Sequence, residues 1–231
     1  MLTTEELTII GLSLKVAAAA MAVALPVAFF TAYALANWRF PGRGLLQAVT
    51  TLPLVLPPVV TGYILLIWFG ANGSAGAFLR DTIGLEFAFR WTGAALAAGV
   101  MAFPLLVRPM RLSLEAIDRG LEEAAETLGA GRLRILVTIV VPLAMPGILA
   151  GGILGFAKAL GEFGATITFV SNIPGETRTL SLAIYSLLQS PSGDAAALRL
   201  ISFSVVLALG SVLLSEWISA RLPANGKARD E

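Results

Sequence analysis

Apolar residues in this chain fall into long blocks separated by short polar stretches, and the blocks rather than any alternating pattern organise the sequence. Five of them, at 7–36, 45–69, 91–107, 135–157 and 198–220, approach or exceed the length of a membrane crossing. A helix rises about 1.5 Å per residue, so roughly 20 residues cross a hydrocarbon core of about 30 Å. The first block would be about 45 Å long as a helix. Part of it is therefore expected to lie along the surface before it enters, with Glu5, Glu6 and Lys15 near the outer boundary and Leu7, Ile10 and Leu14 on one face.

Prolines interrupt the blocks. Pro26 falls within the first, where it is expected to kink the helix, and Pro142 and Pro146 near the start of the fourth. The second holds Pro53, Pro57 and Pro58 in LPLVLPPVVTGY (52–63), so its helix must bend or break near mid-membrane, because each proline removes a backbone donor. Two readings stay open there: a kinked packing helix, or a bend that lines a path, since irregular backbone is tolerated at that depth only inside protein or beside a wet cavity. Between the blocks, residues 75–83 and 179–188 read as short helices and 191–195 as a loop. The stretch 161–177, GEFGATITFVSNIPGET, is too polar for a clean crossing and too apolar for an ordinary loop, which predicts a broken or re-entrant piece.

Composition fits this picture: 57% of the 231 residues are hydrophobic and 13% charged, against roughly 25% charge in soluble domains. The mean hydropathy is +0.83. With no cysteine and no histidine, thiol nucleophiles, disulfides and the usual zinc sites are excluded, and no metal site is expected. The acidic start MLTTEELTII lacks the basic head of a signal peptide, so the first block is expected to remain in the mature chain. With the N-terminus outside, the cytoplasmic set of basic residues is Arg39, Arg43, Arg108, Arg111, Arg119, Arg132, Arg134, Arg221, Lys227 and Arg229, ten in all. The outer set is Lys15, Arg80, Arg90, Lys158, Arg178 and Arg199, six in all. That excess predicts an outer N-terminus and a cytoplasmic C-terminus. The expected fold class is an all-α integral membrane protein, one domain over residues 1–231, with about five transmembrane helices.

One cytoplasmic segment, 115–134, breaks the apolar pattern. From 113 to 128 the residues Ile117, Leu121, Ala124, Ala125 and Leu128 recur at helical spacing among acidic neighbours, which predicts a short amphipathic helix ended by Gly129. On periodicity alone it is a surface helix. The fuller pattern is Glu123-Ala124-Ala125, three residues, Gly129, nine residues, Ile139, one residue, then Val141-Pro142. It is similar to the EAA signature of binding-protein-dependent ABC importer permeases, with Val141 where the signature has leucine. The resemblance implies the type I importer permease fold and a coupling helix built from Glu123, Ala124, Ala125, Leu128 and Gly129, docked in a cleft of a cytoplasmic ATPase. No phosphate-binding loop of the form G-x-x-x-x-G-K-[ST] occurs in this chain. ATP and magnesium are thus expected on the partner, and no cofactor and no catalytic residue here.

A narrower resemblance rests on FPGRGLL (40–46), LPLVLPPVVTGY (52–63), LGEFGATITFVSNIPGETRTL (160–180) and SEWIS (215–219). These look like the molybdate-type permease subunit of the bacterial inner membrane. The resemblance implies a homodimer with two ATPase copies and an external molybdate-binding protein, working by alternating access; nucleic acid is not an expected partner. Permeases for tungstate or sulfate are the near alternative. An ion-coupled secondary transporter is the distant one, and would need intramembrane relays and a repeat that the chain does not clearly carry. Basic residues cluster at the expected boundaries, so a weak path of hydroxyls and helix-end N–H groups is the expectation for the dianion. The candidates for path or gate are Pro57, Pro58, Thr61, Glu162, Thr166, Thr168, Ser171 and Asn172. The hydroxyl residues have the plain alternative of bonding their own backbone. Glu162 would repel the substrate as a direct ligand, and is expected to pair with Lys158 one turn earlier, to accept backbone N–H groups, or to sit at the outer interface.

Overall fold

The computed structural model describes residues 3–191 and 193–221, and every regular element among them is helical. The tail from Leu222, Lys227 and Arg229 of the charge count, and Ser192 of the loop at 191–195 lie outside the described residues. Among the described residues four helices are long and apolar enough to cross a membrane, and a further pair, bent by 117° at its break, is apolar enough as a broken span or a re-entrant loop.

Helix α1, Thr4–Asn37, starts from a reciprocal cap in which the Glu6 N–H donates to Thr3 Oγ1 (3.2 Å) and the Thr3 N–H donates to Glu6 Oε2 (2.7 Å). It runs unbroken through Pro26. Its buried face carries Ala17, Ala20, Ala24, Ala28 and Ala32, and packs on α5, Trp91–Glu115, whose facing residues include Ala94, Ala97, Ala98 and Ala102. Small side chains let the backbones come close, which is how helices pack where lipid removes the hydrophobic drive between them.

The second apolar block is two half-helices, α2 (Arg43–Val55) and α3 (Pro58–Phe69), bent by 117° at the break between them. Leu56 and Pro57 each precede a proline and are both driven into extended backbone, with ψ of 143° and 134°. Beyond α3, the short α4 (Ser74–Ile83) ends at Gly84, whose φ is +68°.

The insert differs from the single helix expected over 113–128. Helix α5 continues to Glu115, the chain turns at 116–118, and α6 (Arg119–Thr127) starts anew with Asp118 Oδ1 accepting the Gly120 N–H at 2.9 Å. A side-chain cap of this kind stabilises a helix start, and it places Glu115 in the crossing rather than in the insert. After α7 (Arg132–Ile135), a π-helical turn at Leu136–Val140 leads into α8 (Val141–Leu160). The wider turn lies directly before Pro142, where the missing N–H disrupts the ordinary ladder.

Helix α8 packs on α5 through glycines. A Cβ on Gly151 would come 2.9 Å from the Leu106 carbonyl oxygen, and one on Gly155 would meet Leu106 Cδ2 at 2.6 Å. The chain then breaks at 161–163 and continues as α9 (Gly164–Val170), α10 (Leu180–Leu188) and α11 (Asp194–Arg221). On the N-terminal side of the bundle, Arg199 pairs with Glu6 (2.8 Å) and Arg178 with Glu5 (3.4 Å), tying α11 and the turn before α10 to the start of α1.

Candidate functional site

The solvent-facing insert comes first. No residue of α6 is buried. Glu123 and Ala124 are exposed and Leu128 is 88% exposed, whereas Ala125 is half-buried and rests with Ile117 and Ala130 against the core. The two alanines of the motif therefore face different ways: Ala124 offers its small side chain outward, and Ala125 seats the helix on its own protein. The helix closes with the Ala130 N–H on the Ala125 carbonyl (3.0 Å) and the Gly129 N–H on the Glu126 carbonyl (2.9 Å). That closure needs a left-handed residue, and Gly129 supplies it with φ +81°.

Below the insert, Glu115 accepts from Arg111 Nε at 2.8 Å and lies 4.0 Å from Arg43 Nη2. Arg43 also donates through Nε (3.0 Å) and Nη2 (2.6 Å) to the Leu35 carbonyl near the end of α1. One guanidinium thus joins the ends of α1, α2 and α5 directly beneath α6.

The second locus is inside the bundle, where the two broken crossings meet. A Cβ on Gly164 would lie 2.7 Å from Pro58 Cβ, and one on Gly62 would lie 2.5 Å from the Ala165 carbonyl oxygen and 2.9 Å from Thr168 Cβ. The start of α9 therefore abuts the start of α3, and the half-helices run on together. Val170 at the far end of α9 packs on Gly93, two residues into α5. Gly164, at the start of α9, is thus the point where the break after α8 meets the break before α3. Glu162 is buried there, with Oε2 accepting from Lys158 Nζ at 2.6 Å and Oε1 accepting the Ala165 N–H at 3.0 Å. The expected ion pair and backbone bond are both present.

The junction gathers Pro57, Pro58, Thr61, Glu162, Thr166 and Thr168 on α3, α9 and the break between α8 and α9. The hydroxyls behave differently from one another. Thr168 Oγ1 donates to its own helix at the Gly164 carbonyl (2.9 Å), Thr166 is buried within α9, and Thr61 Oγ1 is buried without a hydrogen-bond partner. Ser171 and Asn172 lie elsewhere, in the turn that follows the C-terminal end of α9. Thr177 Oγ1 donates to the Ser171 carbonyl (3.1 Å) and accepts the Ile173 N–H (2.9 Å), and Asn172 Oδ1 accepts from Arg178 Nε (3.1 Å). Glu176 from the same stretch accepts the Trp91 N–H at the start of α5 (3.4 Å). The sequence places Lys158 as the partner of Glu162 and in the outer basic set, and gives no sign of the close approaches at Gly62 and Gly164, which are tertiary contacts.

Known proteins resemble this chain in sequence and in overall fold. Residues 24–223 match the family described as binding-protein-dependent transport system inner membrane component. The chain is 55% identical over 218 residues to the Molybdenum transport system permease protein ModB of Escherichia coli (strain K12), covering 94% of this chain and 95% of that protein. It is 39% identical over 186 residues to the Sulfate transport system permease protein CysT of Salmonella typhimurium, covering 79% of this chain and 65% of that one. Among solved structures, a bacterial alginate ABC transporter in complex with alginate pentasaccharide-bound periplasmic protein superposes with a TM-score of 0.74 at 19% identity, over 97% of this chain and 81% of that one. A broken second crossing, a solvent-facing EAA helix and this end-to-end likeness agree: the chain belongs to the family of binding-protein-dependent transport system inner membrane components.

Proposed function

We propose that this chain is the membrane-spanning subunit of an ATP-driven importer of molybdate. The observation that carries the reading is the 55% identity, over nearly the whole of both chains, to a permease named for molybdenum transport. Two copies would assemble with two cytoplasmic ATPase subunits and an external molybdate-binding protein, with the N-terminus outside and the C-terminus in the cytoplasm. The chain itself performs no covalent chemistry; ATP and magnesium sit on the ATPase. Closure of the ATPases would push on α6, whose exposed Glu123, Ala124 and Leu128 suit a docked surface and whose base is fixed through Ala125. The push would reach α1, α2 and α5 together through Arg43 and Glu115, and the pathway would open and close where α3 meets α9. Broken helices meeting inside a membrane are where transporters hold substrate.

The test is uptake by proteoliposomes holding the permease with its ATPase and binding protein. ATP-dependent accumulation of molybdate, resisted by excess sulfate, is the expected result. Sulfate carried in preference to molybdate would favour the other relative, and accumulation on an ion gradient without the ATPase would remove the reading altogether.

A further inference from the structure

We propose that Lys158 is the counter-charge met by the oxyanion as it crosses the junction of the broken helices, with Glu162 as the placeholder that holds the ammonium between transport events. This rests on the reading of the chain as an oxyanion permease. Three observations carry it. The pair lies where the apolar helix α8 ends and the chain breaks before α9, and an ion pair with one partner buried in an apolar bundle marks function or a paired structural role. It is also unevenly shielded: the Lys158 side chain is 31% exposed and that of Glu162 only 1%. An arriving anion therefore meets the ammonium and not the carboxylate.

The third observation is the anchoring of the acid. Glu162 Oε1 is held by the Ala165 N–H at the start of α9, so the carboxylate stays in place with one bond when the flexible lysine swings away. A lysine stem with several rotors suits such an exchange. The pairing also sets the strength of the site. A lone ammonium at this break would trap a dianion, whereas an ammonium already shared with Glu162 gives a weaker attraction that lets the ion leave, as conduction requires. The start of α3, brought against Gly164 by Pro58, adds the positive end of a helix dipole to the same place.

The experiment uses the complete transporter in proteoliposomes, reading molybdate uptake and ATP hydrolysis stimulated by the binding protein in the same preparations. Lys158→Met is expected to lower uptake by roughly tenfold or more while stimulated hydrolysis persists, and Lys158→Arg to keep most of the uptake. The exchange Lys158→Glu with Glu162→Lys separates this role from a packing one. It restores an ion pair but presents the carboxylate, so uptake is expected to stay low in an assembled complex. Uptake recovered by the exchange, or retained in Lys158→Met, overturns the proposal, as does failure of both variants to assemble with the ATPase. If the unaltered protein carries no molybdate in this system, the functional reading fails instead.

Discussion

Gly62 and Ala165 approach so closely that a Cβ on Gly62 would stand 2.5 Å from the Ala165 carbonyl oxygen. Backbone cannot swing aside as a flexible side chain can, so Gly62→Val must part α3 from α9 or leave the pair strained. Overpacking of this kind costs about 1–3 kcal/mol. The expected result is a lower melting temperature for the purified permease. An unchanged melting temperature would mean the half-helices are not held in this contact.

One residue before Gly62, the Thr61 hydroxyl is buried on the same half-helix and has no hydrogen-bond partner among the described residues. An unsatisfied buried polar group costs about 1–3 kcal/mol. Thr61→Val keeps the shape and removes that cost, so it is expected to leave stability equal or higher. On the proposed pathway role, the same variant lowers molybdate uptake. A variant that loses stability and transport together would place Thr61 in packing instead.

The break in the second crossing was legible because two successive prolines leave the preceding residues little choice but extended backbone. The Lys158–Glu162 pair was legible from its spacing within an apolar block. The meeting of the break after α8 with the start of α3 was not, since it depends on Gly164 reaching Pro58, a tertiary contact with no local signature. The helical period from Ile117 to Leu128 concealed the turn at 116–118, because Asp118 fits the polar face of one continuous helix as well as the cap of a new one. Ser171 and Asn172 join the pathway candidates through their polar side chains, and Thr177 and Arg178 bond them in the turn after α9. The NIPGETRT stretch that sharpens the family resemblance thus spends several of its polar groups fastening that turn to α1 and α5.

Gly129 offers a different kind of test, because a side chain there meets nothing within 4 Å while φ is +81°. Any effect must come from backbone strain, about 1–2 kcal/mol for an ordinary L-residue. Gly129→Val is expected to distort the end of α6 and reduce co-purification of the ATPase while the crossings keep their melting temperature. Gly129→Asn, which tolerates the left-handed region, is expected to retain most of it. Equal retention in both would count against a coupling role for this turn.

Charge reversal at Glu123 and at Glu115 should fail in different ways. Glu123 is exposed and has no ion-pair partner within 4.0 Å among the described residues, so Glu123→Lys is expected to weaken association with the ATPase without altering the thermal stability of the membrane domain. Glu115 is paired to Arg111 at 2.8 Å and stands 4.0 Å from Arg43. Glu115→Lys sets three cations side by side at the ends of α1, α2 and α5, where the pairs are partly exposed and each is worth at most about 1 kcal/mol. Its expected signature is a modest fall in melting temperature, larger at low ionic strength, where exposed charges are least screened. Co-purification and melting measured on both variants distinguish the two effects. If Glu123→Lys lowers the melting temperature as much as Glu115→Lys does, α6 is part of the structural core and not a surface kept free for a partner.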